Sequence, residues 1–208
     1  PLILGAVATS IVMCGAWLWQ RWGGKAGVVD VAWTWSVGLL AIIYVTWWAD
    51  GLIARRILLG VLAGLWSLRL GLHLLPRLFH AKEDERYLQM KASWGRNAQL
   101  RIFLFYQSQA LAAPLFALPM LLSGNSRAEL NGWDALGVGI WCVAMLGEWQ
   151  SDRQLAAFRK SGENRGRVCQ VGWWRYSRHP NYFFEWLHWC SYVPLAAFAP
   201  WGWLALLA

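Results

Sequence analysis

The densest group of polar side chains in this sequence lies between residues 172 and 189, in the stretch GWWRYSRHPNYFFEWLHW. Guanidinium groups suit phosphate and carboxylate oxygens, and Asn, Tyr and His offer directed hydrogen bonds to an amide or a sugar. A basic cluster that only touches lipid headgroups is the alternative, but headgroup attraction requires Lys and Arg, not Asn, Tyr and Glu. The stretch therefore predicts a binding site for an anionic ligand. The polar residues on which this prediction rests are Arg175, Arg178, His179, Asn181, Tyr182 and Glu185.

The proline within this stretch indicates where its helix begins. Pro180 disfavours helical backbone at His179, so we expect the helix to start near Asn181. Glu185 and His188 then lie about one turn apart, with Glu185 facing inward at the membrane boundary.

Composition indicates that membrane-spanning helices position this site. The chain has 208 residues, of which 58% are hydrophobic and 14% charged, and it contains 18 Trp. Soluble domains carry about a quarter of their residues as charged side chains, and disordered segments are poor in aromatics. We therefore predict an all-α, polytopic transmembrane helix bundle of six to seven spans with two long cytoplasmic loops. Its apolar runs cover about 2–19, 31–49, 57–79, 102–122, 133–150 and 183–199, with a fragment at 201–208.

The basic residues are distributed unevenly between the two sides of this predicted bundle. Fifteen of the 19 Lys and Arg fall in the segments 20–28, 77–101 and 151–182, which alternating topology places on one side. The positive-inside rule makes that side cytoplasmic. The net charge of +8 is therefore a topology signal and does not indicate nucleic acid as a partner.

Several other features bound the prediction. We treat residues 1–208 as one transmembrane domain whose two ends look trimmed, since position 1 is Pro and the chain stops inside an apolar run. The four Cys have no metal-binding spacing, so no metal site is predicted. Neither a dinucleotide-binding glycine motif nor a phosphate-binding P-loop is present.

Three polar stretches resemble those of one membrane-enzyme family. RYSRHPNYFFEW, SDRQLAAFRKSGE and KEDERYLQMKASWG resemble segments of the steroid 5α-reductase-like integral membrane reductases, in a DUF1295-type bacterial branch of unassigned function. Order and spacing agree from about residue 28 to 199. The resemblance implies a seven-helix fold in the bacterial inner membrane with its cofactor loops in the cytoplasm. It also implies NADPH as the cofactor and reduction of the C=C bond of an enone in a steroid or similar lipid.

The resemblance also implies which individual residues form the cofactor site. Three positions match the family's cofactor-binding segment before the signature, namely Asp152, Arg159 and Arg167. Six match the signature, namely Tyr176, Arg178, His179, Asn181, Tyr182 and Glu185. Four lie in the loop whose basic residues hold phosphates in the family, namely Arg77, Asp84, Arg86 and Tyr87.

The catalytic residues depart from the family pattern. The well-studied reductases polarise the substrate carbonyl with a Glu on an early helix and a Tyr on the next. Here the early helix offers Asp30, the next has no Tyr, and Trp66 lies near the expected place, so Asp30 and Trp66 are the candidate catalytic residues. The signature also ends in NYFFE, where the family usually has Gly before the Glu.

Two ionisable residues fall inside an apolar run. Arg69 and His73 are four residues apart, so they share one face of a helix. An ionisable group at membrane depth is a functional candidate. An internal pair of Arg69 with Glu148 or Asp30 is the structural alternative, and the sequence leaves both open.

Two other functions are kept as alternatives to the reductase. Membrane methyltransferases that use S-adenosylmethionine and act on lipids or lipidated substrates carry a similar RHPxYxG stretch. A lipid-binding or assembly protein without activity is the third class, which the missing Tyr supports. The EDERY segment and the segment from Asp152 to Arg159 favour the reductase.

The distribution of basic residues predicts that the segments 77–101 and 151–182 face the cytoplasm. Single cysteines that replace Lys91 and Arg165 are expected to be protected from a membrane-impermeant thiol reagent applied to intact cells. Labelling of either position from outside would reverse the topology.

Overall fold

The computed structural model describes residues 1–80, 82–161, 164 and 166–207, and these form helices without any β-strand. Arg165, used for the topology test, lies outside the described residues. The helices are α1 (Leu2–Arg21), α2 (Val28–Ile43), α3 (Ile53–His80), α4 (Glu85–Trp94), α5 (Ala98–Phe116), α6 (Leu118–Gly124), α7 (Gly132–Lys160), α8 (Pro180–Cys190) and α9 (Tyr192–Leu195). A π-helical turn (Tyr44–Trp48) extends α2, and short 3₁₀ turns cover Gly95–Asn97, Gly172–Arg175 and Gly202–Leu207. The predicted all-α class is confirmed.

Four segments within the described residues are long and apolar enough to cross a membrane. They are Leu2–Arg21, Val28–Trp48, Ile53–His80 and Glu85–Gly124. The last one comprises the three helices α4, α5 and α6. α5 ends at Phe116, and α6 begins at Leu118 with a proline in its first turn. These four segments support a membrane-embedded bundle, whereas the expected six to seven spans remain a prediction.

Of the two polar stretches that we predicted as long loops, 77–101 is largely helical, whereas 151–182 is helical mainly at its two ends. α3 continues to His80 and α7 to Lys160, and α4 occupies most of the segment between α3 and α5. Asp84 caps α4, because its carboxylate accepts the backbone N–H of Arg86 at 2.9 Å. The basic residues at the ends of α3 and α7 suit the negative end of a helix dipole. Charge alone did not distinguish such helix ends from loops.

The helices pack in three principal pairs, α2 with α3, α1 with α5 and α7 with α8. The larger core contains several aromatic side chains in contact, with Trp66 fully buried at its centre. The Trp66 ring meets those of Trp33 and Trp189 edge to face, with centroids 6.3 and 5.1 Å apart. Packing between helices therefore accounts for these deep tryptophans.

An ion pair closes one end of the bundle. The guanidinium of Arg55, at the start of α3, contacts both carboxylate oxygens of Asp134 at the start of α7, one of them at 2.9 Å. It also donates to the backbone carbonyls of Ala128, Glu129 and Leu195 at 3.3–3.4 Å. Both side chains are buried, and such a pair is tolerated because both carboxylate oxygens and both terminal guanidinium nitrogens find partners, although Arg55 Nε has none.

The structure shows how the bundle accommodates Phe184, which stands where the resemblance predicts Gly. The Phe184 ring on α8 lies directly over Gly147 of α7. It also meets the Trp173 ring edge to face, with centroids 5.4 Å apart. A small residue on α7 thus makes room for the large one on α8.

This contact predicts that Gly147→Ala destabilises the protein, because the added Cβ would overlap the Phe184 ring. We expect a loss of about 1–3 kcal/mol, as for other overpacked cores, measured as a fall in thermal stability in detergent. Gly139→Ala on the same helix is the matched control, since nothing lies within 4 Å of its added Cβ. Equal stability of the two variants would contradict the packing of Phe184 on Gly147.

Candidate functional site

A large cavity opens between the end of α7, the start of α8 and the segment that connects them, of which residues 161, 164 and 166–179 are described. Its volume is about 1460 Å³. Typical ligand pockets measure about 300–1,000 Å³, so it has room for a large ligand. It is lined by Arg77, Leu155, Phe158, Arg159, Ser161, Asn164, Gly166, Arg167, Val168, Cys169, Gln170, Trp174, Arg175, Tyr176, Ser177, Arg178, His179, Asn181 and Tyr182.

Positive charge dominates this cavity. Five of its lining residues are arginines, and none of the described lining residues is acidic. A concave site lined by one sign of charge concentrates its field and attracts ligands of opposite sign. Guanidinium groups also bind phosphate oxygens in a bidentate manner. The cavity is thus suited to a ligand that carries several phosphates.

Hydrogen bonds to α7 fix one wall of the cavity, the GWWR turn. Gln154 accepts the backbone N–H of Trp173 at 2.9 Å, and Gln150 accepts its indole N–H at 2.8 Å. The indole N–H of Trp174 donates to the backbone carbonyl of Ser151 at 2.9 Å. The positions of the signature residues therefore depend on α7.

The start of α8 brings an unpaired amide oxygen to the cavity. Asn181 lines the cavity, and its Oδ1 is buried without a protein hydrogen-bond partner. Because a buried acceptor without a donor costs about 1–3 kcal/mol, this oxygen is suited to accept an N–H or O–H from a ligand. Beside it, the rings of His179 and Tyr182 stack with centroids 5.1 Å apart.

A smaller polar cavity of about 270 Å³ adjoins the first one. Arg77 and Arg159 line both. The remaining lining residues come from the α1–α2 connection, α2, α3 and the segment before α4, namely Lys25, Gly27, Asp30, Leu74, Leu78, Lys82, Glu83 and Asp84. Segments that we predicted to share one membrane side thus meet at one end of the bundle.

The predicted residues of the EDERY segment form hydrogen bonds near this smaller cavity, both with Asp30 of α2 and with one another. The Tyr87 hydroxyl donates to Asp30 Oδ1 at 2.9 Å, and Arg86 reaches Asp30 Oδ2 at 3.5 Å. Partial burial acts to raise the pKa of the Asp84 carboxyl, but its hydrogen bonds from the Arg86 side chain and backbone N–H hold that pKa below its usual value. Asp84, Arg86 and Tyr87 do not line the larger cavity in the part of the chain that the structure describes.

An ionic cluster connects α3 and α7 inside the bundle. The Arg69 guanidinium of α3 contacts the carboxylates of Glu148 and Asp152, which lie one turn apart on α7. The structural alternative proposed for Arg69 is thus observed with Glu148, and Asp152 is its second partner. His73 follows on α3, with its Nε2 3.7 Å from Asp152 Oδ2.

Glu185 lies next to this cluster, within hydrogen-bonding distance of two indoles. Its carboxylate accepts the indole N–H of Trp66 at 3.1 and 3.2 Å and that of Trp189 at 3.1 Å. The Trp66 indole N–H is therefore directed at Glu185 and not at an open space.

The structure brings together most of the predicted cofactor residues. Those that line the larger cavity are Arg77, Arg159, Arg167, Tyr176, Arg178, His179, Asn181 and Tyr182. Asp152 and Glu185 lie in the bundle interior instead. The two candidate catalytic residues are apart, because Asp30 binds Tyr87 at the smaller cavity and Trp66 binds Glu185 in the core.

Sequence reasoning missed the residues that support the site. Gln150 and Gln154 hold the GWWR turn, and Asn164 donates to the carbonyl of Phe158 at 2.9 Å and lines the larger cavity. The spacing of four between the two glutamines, on one face of α7, was the signal that could have found them.

Comparisons with known proteins agree with the predicted family. The family described as "Protein of unknown function (DUF1295)" matches residues 16–208. The bovine 3-oxo-5-alpha-steroid 4-dehydrogenase 1 is 36% identical over 67 residues, which are 32% of this chain and 26% of the relative. Its human counterpart is 35% identical over 58 residues, 28% of this chain and 22% of the relative. These matches span about a quarter of the relatives' length.

No solved structure matches the chain significantly. The family match, which extends over most of the sequence, agrees with the signature and with the all-helical bundle. The chain therefore belongs to the DUF1295 family, within the steroid 5α-reductase-like membrane proteins.

Proposed function

We propose that the protein is an NADPH-dependent reductase of the C=C bond of an enone in a steroid or a similar membrane lipid. The observation that carries this proposal is the arginine-lined cavity at the start of the signature helix. The relatives named as 3-oxo-5-alpha-steroid 4-dehydrogenases support an oxidoreductase class. The fold fits, since the apolar helices provide a hydrophobic environment for such a substrate.

The residues of the larger cavity fit NADPH in charge and in hydrogen-bonding capacity. Arg77, Arg159 and Arg167 would hold the phosphates, including the one that distinguishes NADPH from NADH. Asn181 would accept a hydrogen bond from the cofactor through its unpaired Oδ1. When bound, the cofactor supplies a hydride for the β-carbon of the enone.

The interior residues have supporting roles in this proposal. Glu185 is held by two indoles at the inner end of the signature and would contact the cofactor's uncharged end. Trp66, a candidate catalytic residue, acts by positioning Glu185, since its indole N–H is directed at that carboxylate. Asp30 with the Tyr87 hydroxyl forms a proton-bearing pair near the smaller cavity and remains the candidate for stabilising charge at the substrate carbonyl.

We also propose the orientation of the bundle, the membrane that it crosses and the number of its spans. The arginine-rich end faces the cytoplasm, where NADPH is available, and the bundle crosses the bacterial inner membrane six to seven times. Lipids surround its apolar faces, and nucleic acid is not a partner.

The cavity disfavours the methyltransferase alternative on electrostatic grounds. S-adenosylmethionine carries a sulfonium cation, and no acidic side chain is found among the described residues that line the larger cavity. Five arginines beside a cation would repel it, since like charges in a site of low dielectric interact strongly.

The proposal predicts that NADPH binds more tightly than NADH at low salt, with a preference that shrinks as salt screens the arginines. Tryptophan quenching of detergent-purified protein measures both affinities. Arg159→Gln and Arg167→Gln are each expected to weaken NADPH binding about ten-fold or more, because charge-assisted hydrogen bonds contribute about 1.5–3 kcal/mol.

The matched control for these variants is Arg127→Gln, which removes an exposed arginine paired with Asp50 near the opposite, Arg55–Asp134 end of the bundle. It should bind NADPH like the parent. Equal affinity for NADPH and NADH at low salt would contradict the proposal that the arginines bind the phosphate that distinguishes NADPH. Tighter binding of S-adenosylmethionine than of either nucleotide would favour the methyltransferase.

A further inference from the structure

Arg77 lies where the two cavities adjoin. It is in the last turn of α3, and it lines both cavities, as does Arg159. The residue is exposed, so a free guanidinium at this position would sample many conformations and lose that freedom on binding a phosphate. A group that holds the side chain in place beforehand would reduce this cost and raise the affinity for the ligand.

The side chain of His73 is such a group. His73 lies one turn before Arg77 on α3, and its Nε2 is 2.7 Å from Arg77 Nη2. Because a guanidinium can only donate, Nε2 accepts this hydrogen bond, and the imidazole is neutral with its proton on Nδ1. The same ring nitrogen lies 3.7 Å from Asp152 Oδ2 on α7. His73 Nε2 therefore lies near both a cation and a carboxylate.

The partner of Arg77 differs in charge from the partners of Arg69. Arg69, two turns earlier on α3, contacts the carboxylates of Glu148 and Asp152, which compensate its charge. A neutral imidazole, in contrast, accepts a hydrogen bond without compensating the charge of the donor. Arg77 is thus held in place and remains cationic toward a ligand in either cavity.

Protonation of His73 would break this hydrogen bond. A protonated Nε2 has no lone pair to accept from Arg77, and the imidazolium repels the guanidinium. The protonated ring can instead donate to Asp152, which is already within ion-pair distance. The side chain is 33% exposed, so water can supply the proton. The proton on Nε2 therefore selects between two partners of the ring.

The charged groups that surround this pair come from four parts of the chain. Those that face the His73 ring are Arg77 of its own helix and Asp152 of α7, and Arg69 shares Asp152 Oδ2 with the ring. The other charged groups around Arg77 line the smaller cavity, namely Lys25, Asp30, Lys82, Glu83, Asp84 and Arg159.

We propose that His73 is a positioning residue for the cofactor phosphates, whose neutral ring holds the Arg77 guanidinium where the two cavities adjoin. This inference rests on the proposed function, in which the cofactor is NADPH and Arg77 binds a phosphate. His73 is not among the described residues that line either cavity, so it acts through Arg77. Protonation of the ring releases Arg77, and the affinity for NADPH falls as the pH is lowered.

Nitrogen NMR of detergent-purified protein with isotope-labelled histidine tests the hydrogen bond without any nucleotide. The sequence has four histidines, so the His73 signal is assigned by its loss in His73→Gln or by elimination with variants of the other three. Above the range in which an imidazole titrates, at about pH 8, we expect the proton on Nδ1 and an unprotonated Nε2. A neutral ring with its proton on Nε2 would overturn the proposal.

The pH dependence of NADPH binding tests the positioning role. Tryptophan quenching measures the affinity of the parent, His73→Gln and His73→Leu between about pH 6 and 8, where an imidazole titrates. Gln offers a carbonyl acceptor that does not titrate, so His73→Gln should bind like the parent at the upper pH. Leu offers no acceptor, so binding should be about ten-fold weaker there. As the pH falls, the parent should lose affinity relative to His73→Gln and approach His73→Leu.

Two other groups titrate in the same range, namely the phosphate that distinguishes NADPH and the His179 ring in the wall of the larger cavity. Both are the same in the parent and in His73→Gln, so the difference between these two pH profiles isolates His73. His80→Gln is the matched control, because it changes an exposed histidine of the same helix whose ring faces the carbonyl of Pro76. It should keep the parental pH profile.

The outcomes separate this inference from the function on which it rests. Parallel pH profiles of the parent and His73→Gln, or parental affinity in His73→Leu, would refute the role of His73 and leave the proposed function intact. A parent that binds no NADPH at any pH would refute the proposed function and, with it, the phosphate role of Arg77.

Discussion

The fold and the site both depend on one guanidinium in the bundle interior, that of Arg69, whose side chain is 18% exposed. A cation within apolar helices must be compensated, and Arg69 finds its partners at two positions of α7 that are one turn apart. These contacts fix the register of α7 against α3. Removing one partner of such a buried pair costs about 3–5 kcal/mol, because the other charge remains without compensation.

The register of α7 then determines the shape of the cavity. Gln150, Ser151 and Gln154 lie between and beside the two carboxylates on α7 and hold the GWWR turn. Gly147 on the same helix receives the Phe184 ring and thus sets the distance to α8. An ion pair in the interior therefore positions the arginines and Asn181 that line the cavity.

The arginines of this protein divide into two groups by their surroundings. Arg55 and Arg69 are paired with carboxylates inside the bundle, where they join helices. Arg77, Arg159 and Arg167 line a cavity with no described acidic residue in its wall. Charge in the first group stabilises the helix arrangement, and charge in the second is available to an anionic ligand.

Much of this arrangement could be predicted from the sequence, because its signals are local. Apolar runs predicted the helices, Pro180 marked the start of α8, and five of the six signature residues line one cavity, with Glu185 in the interior instead. Pairings across distant elements were not predictable, since spacing does not show which side chains meet. The pairings of Tyr87 with Asp30 and of Trp66 with Glu185 were therefore not predicted.

The most direct test of the proposed reductase activity is transfer of deuterium from NADPH labelled at the nicotinamide C4 position. The purified protein is incubated with each labelled diastereomer and a 3-oxo steroid whose C=C bond is conjugated to the carbonyl, and the product is analysed by mass spectrometry and NMR. The account predicts a saturated product with one deuterium at the β-carbon from one diastereomer. Failure of both diastereomers to label any product, or label at the carbonyl carbon, would contradict it.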